Sequence, residues 1–285
     1  MGVLDRIVAH KREELATRRR QAPPADVRRW AADAPPARAF HAALHGPAGL
    51  PDANAGVPRV RLIAEIKGAS PSAGTIRAGF DPAAIARAYA AAGAAAVSVL
   101  TDARFFNGAD EHLRRVSSAV EVPVLRKDFT LDPYQVYEAR AIGADAVLLI
   151  AAILDRGAVA DLAALAGDLG MAALIEAHTE PELTTALAAR PTGAAHAARP
   201  WLVGINNRNL DTLETSLEVT RRLRPLLPRE VTVVSESGID SRRDVQELER
   251  LGVHAVLVGT VLMRSADPGA RIRDLFGAPA SPRGA

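Results

Sequence analysis

Cysteine is absent from all 285 residues, which excludes disulfide staples, thiolate metal sites and cysteine nucleophiles. No apolar run reaches the length of a membrane span, and the first twenty residues are too charged for a secretory signal. The cytoplasm is therefore the expected compartment, with no membrane partner. Lysine is scarce: only Lys11, Lys67 and Lys127 occur among 35 basic residues. In a chain that uses arginine wherever any cation serves, a retained lysine points to a position needing a compact, titratable ammonium. Lys11 lies in an N-terminal arm that reads as exposed, and no such role is expected of it. Net charge is only +2. The first 40 residues carry nine basic against five acidic side chains. That excess is the ordinary solvated end of a helix at Arg18, Arg19 and Arg20, so no nucleic-acid partner is expected.

What is present is an ordinary globular composition, 48% hydrophobic and 24% charged, in a chain long enough for one large α/β domain. Three segments share one form: Gly93-Ala-Ala-Ala-Val-Ser-Val-Leu100, Gly143-Ala-Asp-Ala-Val-Leu-Leu-Ile150 and Gly252-Val-His-Ala-Val-Leu-Val-Gly259. Each opens on a glycine suited to a left-handed helix cap and runs into a short apolar strand, the pattern of strands buried on both faces. Runs at 61–66, 122–126, 172–175, 202–205 and 231–235 bring the count to eight. Helical patterns fill the gaps at 82–92, 133–142, 156–169 and 241–251. Asp81-Pro82 and Asp132-Pro133 read as an N-cap followed by a first-turn proline. The fold class is therefore α/β, a (β/α)8 TIM barrel over 59–276 with an N-terminal helical extension over 1–58. A helix is expected at 3–20, a loop at 52–57 and a disordered tail at 277–285.

Catalytic groups in such a barrel project from the C-terminal strand ends. Alternation along the first strand turns Leu62, Ala64 and Ile66 outward and Ile63, Glu65 and Lys67 into the lumen. Later strands end in Lys127, Glu176, Asn206 with Arg208 beyond it, and Glu236 followed by Ser237. Buried charges cost on the order of several kcal/mol each unless paired, so a rim keeping this many points to acid–base chemistry rather than to fold maintenance. Ser237-Gly238 and Gly259-Thr260 close the last two strands, where backbone N–H groups can surround a phosphate. Phe105, Phe106 and Phe129, with Leu148, Leu210 and Leu257, suit an apolar wall for a flat ring.

Taken together, Ile63-Ala64-Glu65-Ile66-Lys67 with Ala69-Ser70-Pro71-Ser72, Phe106-Asn107-Gly108, Leu125-Arg126-Lys127-Asp128-Phe129, Leu174-Ile175-Glu176, Gly204-Ile205-Asn206-Asn207-Arg208-Asn209-Leu210 and Ser235-Glu236-Ser237-Gly238-Ile239 resemble the indole-3-glycerol phosphate synthase family over residues 55–265. The resemblance implies a phosphorylated small-molecule substrate, 1-(2-carboxyphenylamino)-1-deoxyribulose 5-phosphate, whose ring closes with loss of carbon dioxide and water. It implies no cofactor and no metal. Lys127 would be the acid at the ketone, Lys67 and Glu65 would assist dehydration, and Glu176 would be a proton-transfer partner. Asn206 and Glu236 would orient substrate hydroxyls and the lysines, with Ser237 alongside them. Ser70, Gly238, Gly259 and Thr260 would bind phosphate, with Arg208 as a helper. The arm would cross the mouth, and the protein would be a monomer or weak homo-oligomer.

Gly68 and Ala73 depart from basic residues frequent in the family, and 190–200 is a longer connection, expected on the bottom face. Two other readings stay open on the residues alone. One is another phosphosugar barrel such as phosphoribosylanthranilate isomerase, whose usual cysteine is missing. The other is a non-catalytic ligand-binding barrel, against which the complete rim speaks.

Overall fold

Eight parallel strands follow one another around a closed barrel, each hydrogen-bonded to its neighbours and the last returning to the first. They are β1 (Arg61–Ile66), β2 (Ala96–Leu100), β3 (Val124–Lys127), β4 (Ala146–Ile150), β5 (Ala172–Ala177), β6 (Trp201–Asn206), β7 (Val233–Glu236) and β8 (Ala255–Val258). The computed structural model describes residues 2–45, 60–71, 73–77, 79–189, 201–210 and 212–277. The expected loop at 52–57, the long connection at 190–200 and the tail beyond Gly277 lie outside the described residues.

Helices are α1 (Val3–Gln21), α2 (Pro24–Asp33), α3 (Phe40–His45), α4 (Pro82–Ala91), α5 (Ala103–Phe106), α6 (Asp110–Ser117), α7 (Pro133–Ala141), α8 (Arg156–Asp168), α9 (Glu180–Ala188), α10 (Glu218–Leu223), α11 (Arg242–Arg250), α12 (Thr260–Met263) and α13 (Pro268–Phe276). The cap signals work as expected. The Asp81 and Asp132 carboxylates accept from the N–H groups of Ala83 and Tyr134, each with proline in the first turn. Gly143 and Gly252 take φ of 91° and 75°, turning the chain out of a helix and into the next strand. Two strands begin later than their apolar runs suggest, at Val124 and Val233; the carbonyls of Pro123 and Thr232 just before them accept from the N–H groups of Val97 and Val203.

Alternation divides the core into two layers. Leu62, Ala64, Ile66, Val97, Val99, Ile175, Val203, Ile205 and Val256 pack outward against helices. Ile63, Ala96, Leu125, Leu148, Leu174, Leu202, Val234 and Leu257 fill the lumen. The lumen-facing end positions are thereby left to Lys127, Glu176, Asn206 and Glu236.

The N-terminal extension serves both ends of the barrel. α1 lies at the mouth, where Lys11 reaches Asp102 beyond β2 and Asp128 beyond β3. α2 descends along α7. Arg38 then bonds Asp145 at the foot of β4 and the Val120 carbonyl. Phe40 and Leu44 of α3 plug the bottom of the lumen, at 1% exposure each.

Two expectations about the arm are corrected. Lys11 is only 2% exposed and makes contacts of 2.8–2.9 Å with Glu14, Asp102 and Asp128. Arg18 is no solvated helix end, because it pairs with Glu14, Asp110 and Glu138. Each cation meets carboxylates from distant segments that its own helix does not reveal. Among the described residues no helix is long and apolar enough to cross a membrane.

Candidate active site

A cavity of about 800 Å³ opens at the C-terminal strand ends. On its floor, Lys127 Nζ lies 2.8 Å from Glu176 Oε2 and 2.6 Å from Glu236 Oε2. Lys67 Nζ lies 2.5 Å from Glu65 Oε1. Each position follows from a strand that delivers every second residue inward, and two glycines make the room. A Cβ on Gly204 would come within 2.3 Å of Glu236 Oε1, and one on Gly259 within 2.3 Å of Glu65 Oε1. The missing side chains on β6 and after β8 thus leave room for Glu236 to cross the lumen to Lys127 and for Glu65 to turn toward Lys67 beyond its own strand.

The electrostatics favour a charged lysine beside two unequal acids. Burial works against the Lys127 ammonium, but Glu176, Glu236 and Glu65 outweigh it and raise its pKa above the ordinary lysine range. Burial opposes ionisation of Glu176 as well, yet Lys127 and His178 hold its carboxyl down to about 2. Glu236 goes the other way. Burial, with Glu176 and Glu65 nearby, lifts it to about 7 despite Lys127. One ammonium cannot satisfy two buried carboxylates equally, so one remains ionised and the other is poised to hold a proton near neutrality. The buried Glu236 Oε1 has no hydrogen-bond partner among the described residues.

Every residue expected in the site except Phe105 lines this cavity. Glu65, Lys67, Lys127, Glu176, Asn206, Glu236 and Ser237 occupy its floor and rim. Ser70, Gly238, Gly259 and Thr260 form one corner, while Phe106, Phe129, Leu148, Leu210 and Leu257 supply apolar wall. The Asn206 side-chain oxygen accepts from the Arg208 N–H at 3.0 Å. Arg208 itself reaches the rim, with Nη1 donating to the Leu213 carbonyl at 2.7 Å. Phe105 is the exception among the phenylalanines. It turns from the cavity and packs edge-on against His10 of α1, because only its neighbour Phe106 faces Phe129.

Val3, Leu4 and Ile7 of α1, in the arm that the resemblance sets across the mouth, line the cavity. Several other contributors were not visible to sequence reasoning. Arg264, Arg271 and Asp240 stand near the Gly238–Gly259 corner. Asn207 is buried beside Asn206 and donates to Ser235 Oγ and to the Glu236 and Ser237 carbonyls, fixing the turn that carries Ser237 at φ 67°. His178 lies behind Glu176. Among the described residues no group of three or more His, Asp or Glu is arranged to hold a metal ion.

A parallel barrel with lysine–carboxylate groups converging in one cavity at its C-terminal strand ends is a (β/α)8-barrel enzyme by fold and site. Solved barrels share the architecture. The chain is similar to 3-hexulose-6-phosphate synthase from Salmonella typhimurium at 11% identity and TM-score 0.59, over 76% of this chain and 97% of that one. It is also similar to a mutant tryptophan synthase alpha-subunit from Pyrococcus furiosus at 16% identity and TM-score 0.53, over 76% of this chain and 98% of that one. These likenesses carry the fold alone. The indole-3-glycerol phosphate synthase family model matches residues 4–275, and the chain belongs to that family, whose activity is that of a carboxy-lyase of tryptophan biosynthesis.

Proposed function

We propose that this chain converts 1-(2-carboxyphenylamino)-1-deoxyribulose 5-phosphate to indole-3-glycerol phosphate, carbon dioxide and water. The observation that carries this reading is the contact of Lys127 with Glu176 and Glu236 at 2.8 and 2.6 Å on the floor of a cavity with an apolar wall. In the proposed sequence the ring carbon bearing the carboxylate attacks the ketone carbon. Lys127 gives a proton to the ketone oxygen as it becomes a hydroxyl. Carbon dioxide leaves and returns its bonding electrons to the ring. That hydroxyl then leaves as water with a proton from Lys67, while the adjacent methylene carbon gives up a proton to Glu65 or Glu176, and the new double bond completes the indole. Asn206, Glu236 and Ser237 hold substrate hydroxyls and the lysines. Ser70, Gly238, Gly259 and Thr260 take the phosphate through N–H and hydroxyl donors, with Arg208 at the rim. α1 serves as a lid, and its apolar face at Val3, Leu4 and Ile7 excludes water from the ring end of the substrate.

The test is indole formation from the synthetic substrate, followed spectroscopically, with Lys127→Arg beside the wild type. Guanidinium keeps the charge between Glu176 and Glu236 but is effectively never deprotonated. kcat should fall by about two orders of magnitude or more in the folded variant. A near-normal kcat would remove Lys127 from the role of acid, and no turnover by the wild type would remove the reaction.

A further inference from the structure

The Glu176 carboxylate has two oxygens with different partners. Oε2 takes Lys127, and Oε1 faces His178 Nε2 at 3.4 Å. His178 follows β5, is 11% exposed, and does not line the cavity. Its ring is fixed from behind. Glu182 Oε2 receives the His178 backbone N–H at 2.7 Å and lies 3.0 Å from Nδ1, while Glu182 Oε1 receives the Thr179 hydroxyl at 2.9 Å. Glu182 stays ionised, because the donors from His178 outweigh its burial. An ionised carboxylate only accepts, so Nδ1 must carry a proton. Nε2 is buried, has no hydrogen bond in good geometry among the described residues, and points at Glu176. An unprotonated Nε2 would set a lone pair against a carboxylate oxygen. A proton on Nε2 would remove that repulsion.

We propose that His178 is a positioning residue for the reaction assigned above: as an imidazolium anchored by Glu182, it holds Glu176 ionised and aimed at Lys127. The inference rests on that assigned reaction for its kinetic consequence, but not for the pairing itself. The charged groups facing the imidazole are Glu176 on its own strand, Glu182 on α9 and, farther across the lumen, Glu236 on β7. Lys127 stands on the far oxygen of Glu176. Burial disfavours the imidazolium, but Glu182 and Glu176 outweigh it and raise His178 above its ordinary value. Deprotonating His178 removes the charge that keeps Glu176 in place, so turnover should decline on the alkaline side through that ionisation.

His178→Asn places an amide near the Nδ1 position, within reach of Glu182, and leaves nothing at Nε2. His178→Gln can reach Glu176 with a neutral N–H donor. kcat of His178→Asn should fall about tenfold with KM within about twofold, and His178→Gln should recover part of that loss. The alkaline limb of kcat assigned to His178 should be missing from both variants. Profiles that superpose on the wild type at equal kcat would overturn the proposal. A second measurement needs no turnover: nuclear magnetic resonance titration of the His178 ring, assigned by its loss in His178→Asn. In Glu176→Gln the ring should titrate at lower pH than in the wild type. An unchanged titration would overturn the pairing. An inactive wild type would instead sink the assigned reaction, with the pairing still judged by the titration.

Discussion

Replacing Lys11 by Met removes one charge from the most enclosed ion cluster of the arm while keeping most of the length of the side chain. Lys11 is 2% exposed and holds Asp102 and Asp128, themselves at 0% and 2%. The two acids would be affected unequally. Asp128 keeps Thr101, Arg126 and the Phe129 N–H; burial raises its pKa, but Lys11, Arg126 and Thr101 hold it at about 2. Among the described residues, Asp102 keeps only the Phe105 N–H on one oxygen, and its other oxygen has no hydrogen bond apart from the Lys11 contact. Breaking a buried ion pair from one side costs about 3–5 kcal/mol, and the surviving donors on Asp128 put this case near the lower end, about 3 kcal/mol. For a domain of this size that is about 6–12 °C in Tm if α1 and the barrel melt together. If α1 instead lifts off, both acids become hydrated and the Tm loss is smaller. The helix then becomes a trypsin substrate at Arg18, Arg19 and Arg20, and KM rises as Val3, Leu4 and Ile7 leave the cavity. Calorimetry with limited proteolysis and KM separates these outcomes. Unchanged Tm, unchanged protease resistance and unchanged KM together would refute the view that Lys11 clamps the arm. Lys11→Arg should also destabilise, by about 1–3 kcal/mol, since a guanidinium overfills a site shaped for an ammonium.

Gly259→Ala should lower kcat by about tenfold or more by displacing Glu65 from Lys67, because its Cβ would meet Glu65 Oε1 at 2.3 Å. Steady-state kinetics decide this, and a rise in KM alone would mean that the glycine serves the ligand's approach and not Glu65. At the bottom of the barrel, His254 Nδ1 accepts from the Val233 N–H, and burial with His45, Arg224 and His41 nearby lowers its pKa to about 4. A histidine depressed from 6.5 binds fewer protons folded than unfolded. Its stabilising contribution is therefore complete above pH 6.5 and is lost as pH falls toward 4. His254→Asn keeps an acceptor without the titration, so its drop in Tm between pH 7 and pH 5 should be smaller than the wild type's by about 1–3 kcal/mol equivalent. Glu236, raised to about 7, acts in the opposite sense over pH 4.5–7, but it is common to both proteins and cancels. Equal pH dependence of the two melting curves would show that His254 is not linked to folding.

The sequence by itself determined the barrel and the membership of its rim. Period-two alternation is a local property, so Glu65 and Lys67 could be turned inward, and Lys127, Glu176, Asn206 and Glu236 placed at strand ends, before any contact was known. Cap signals at Asp81 and Asp132 are equally local. What the tertiary structure alone decided is who meets whom. Arginine-for-lysine usage marks Lys67 and Lys127 but does not single out Lys11, because an amphipathic arm does not disclose the distant acids it will meet. Each of the three lies within 3 Å of a carboxylate, which the fold brings from a distant segment for Lys11 and Lys127 and which stands two residues away in the chain for Lys67. Likewise nothing local distinguishes Gly204 or His178 from filler in a strand and a loop. Their roles depend on a side chain crossing from another strand and on the second oxygen of Glu176. Pair distances across a barrel are set by closure of all eight strands together, and no single segment contains them.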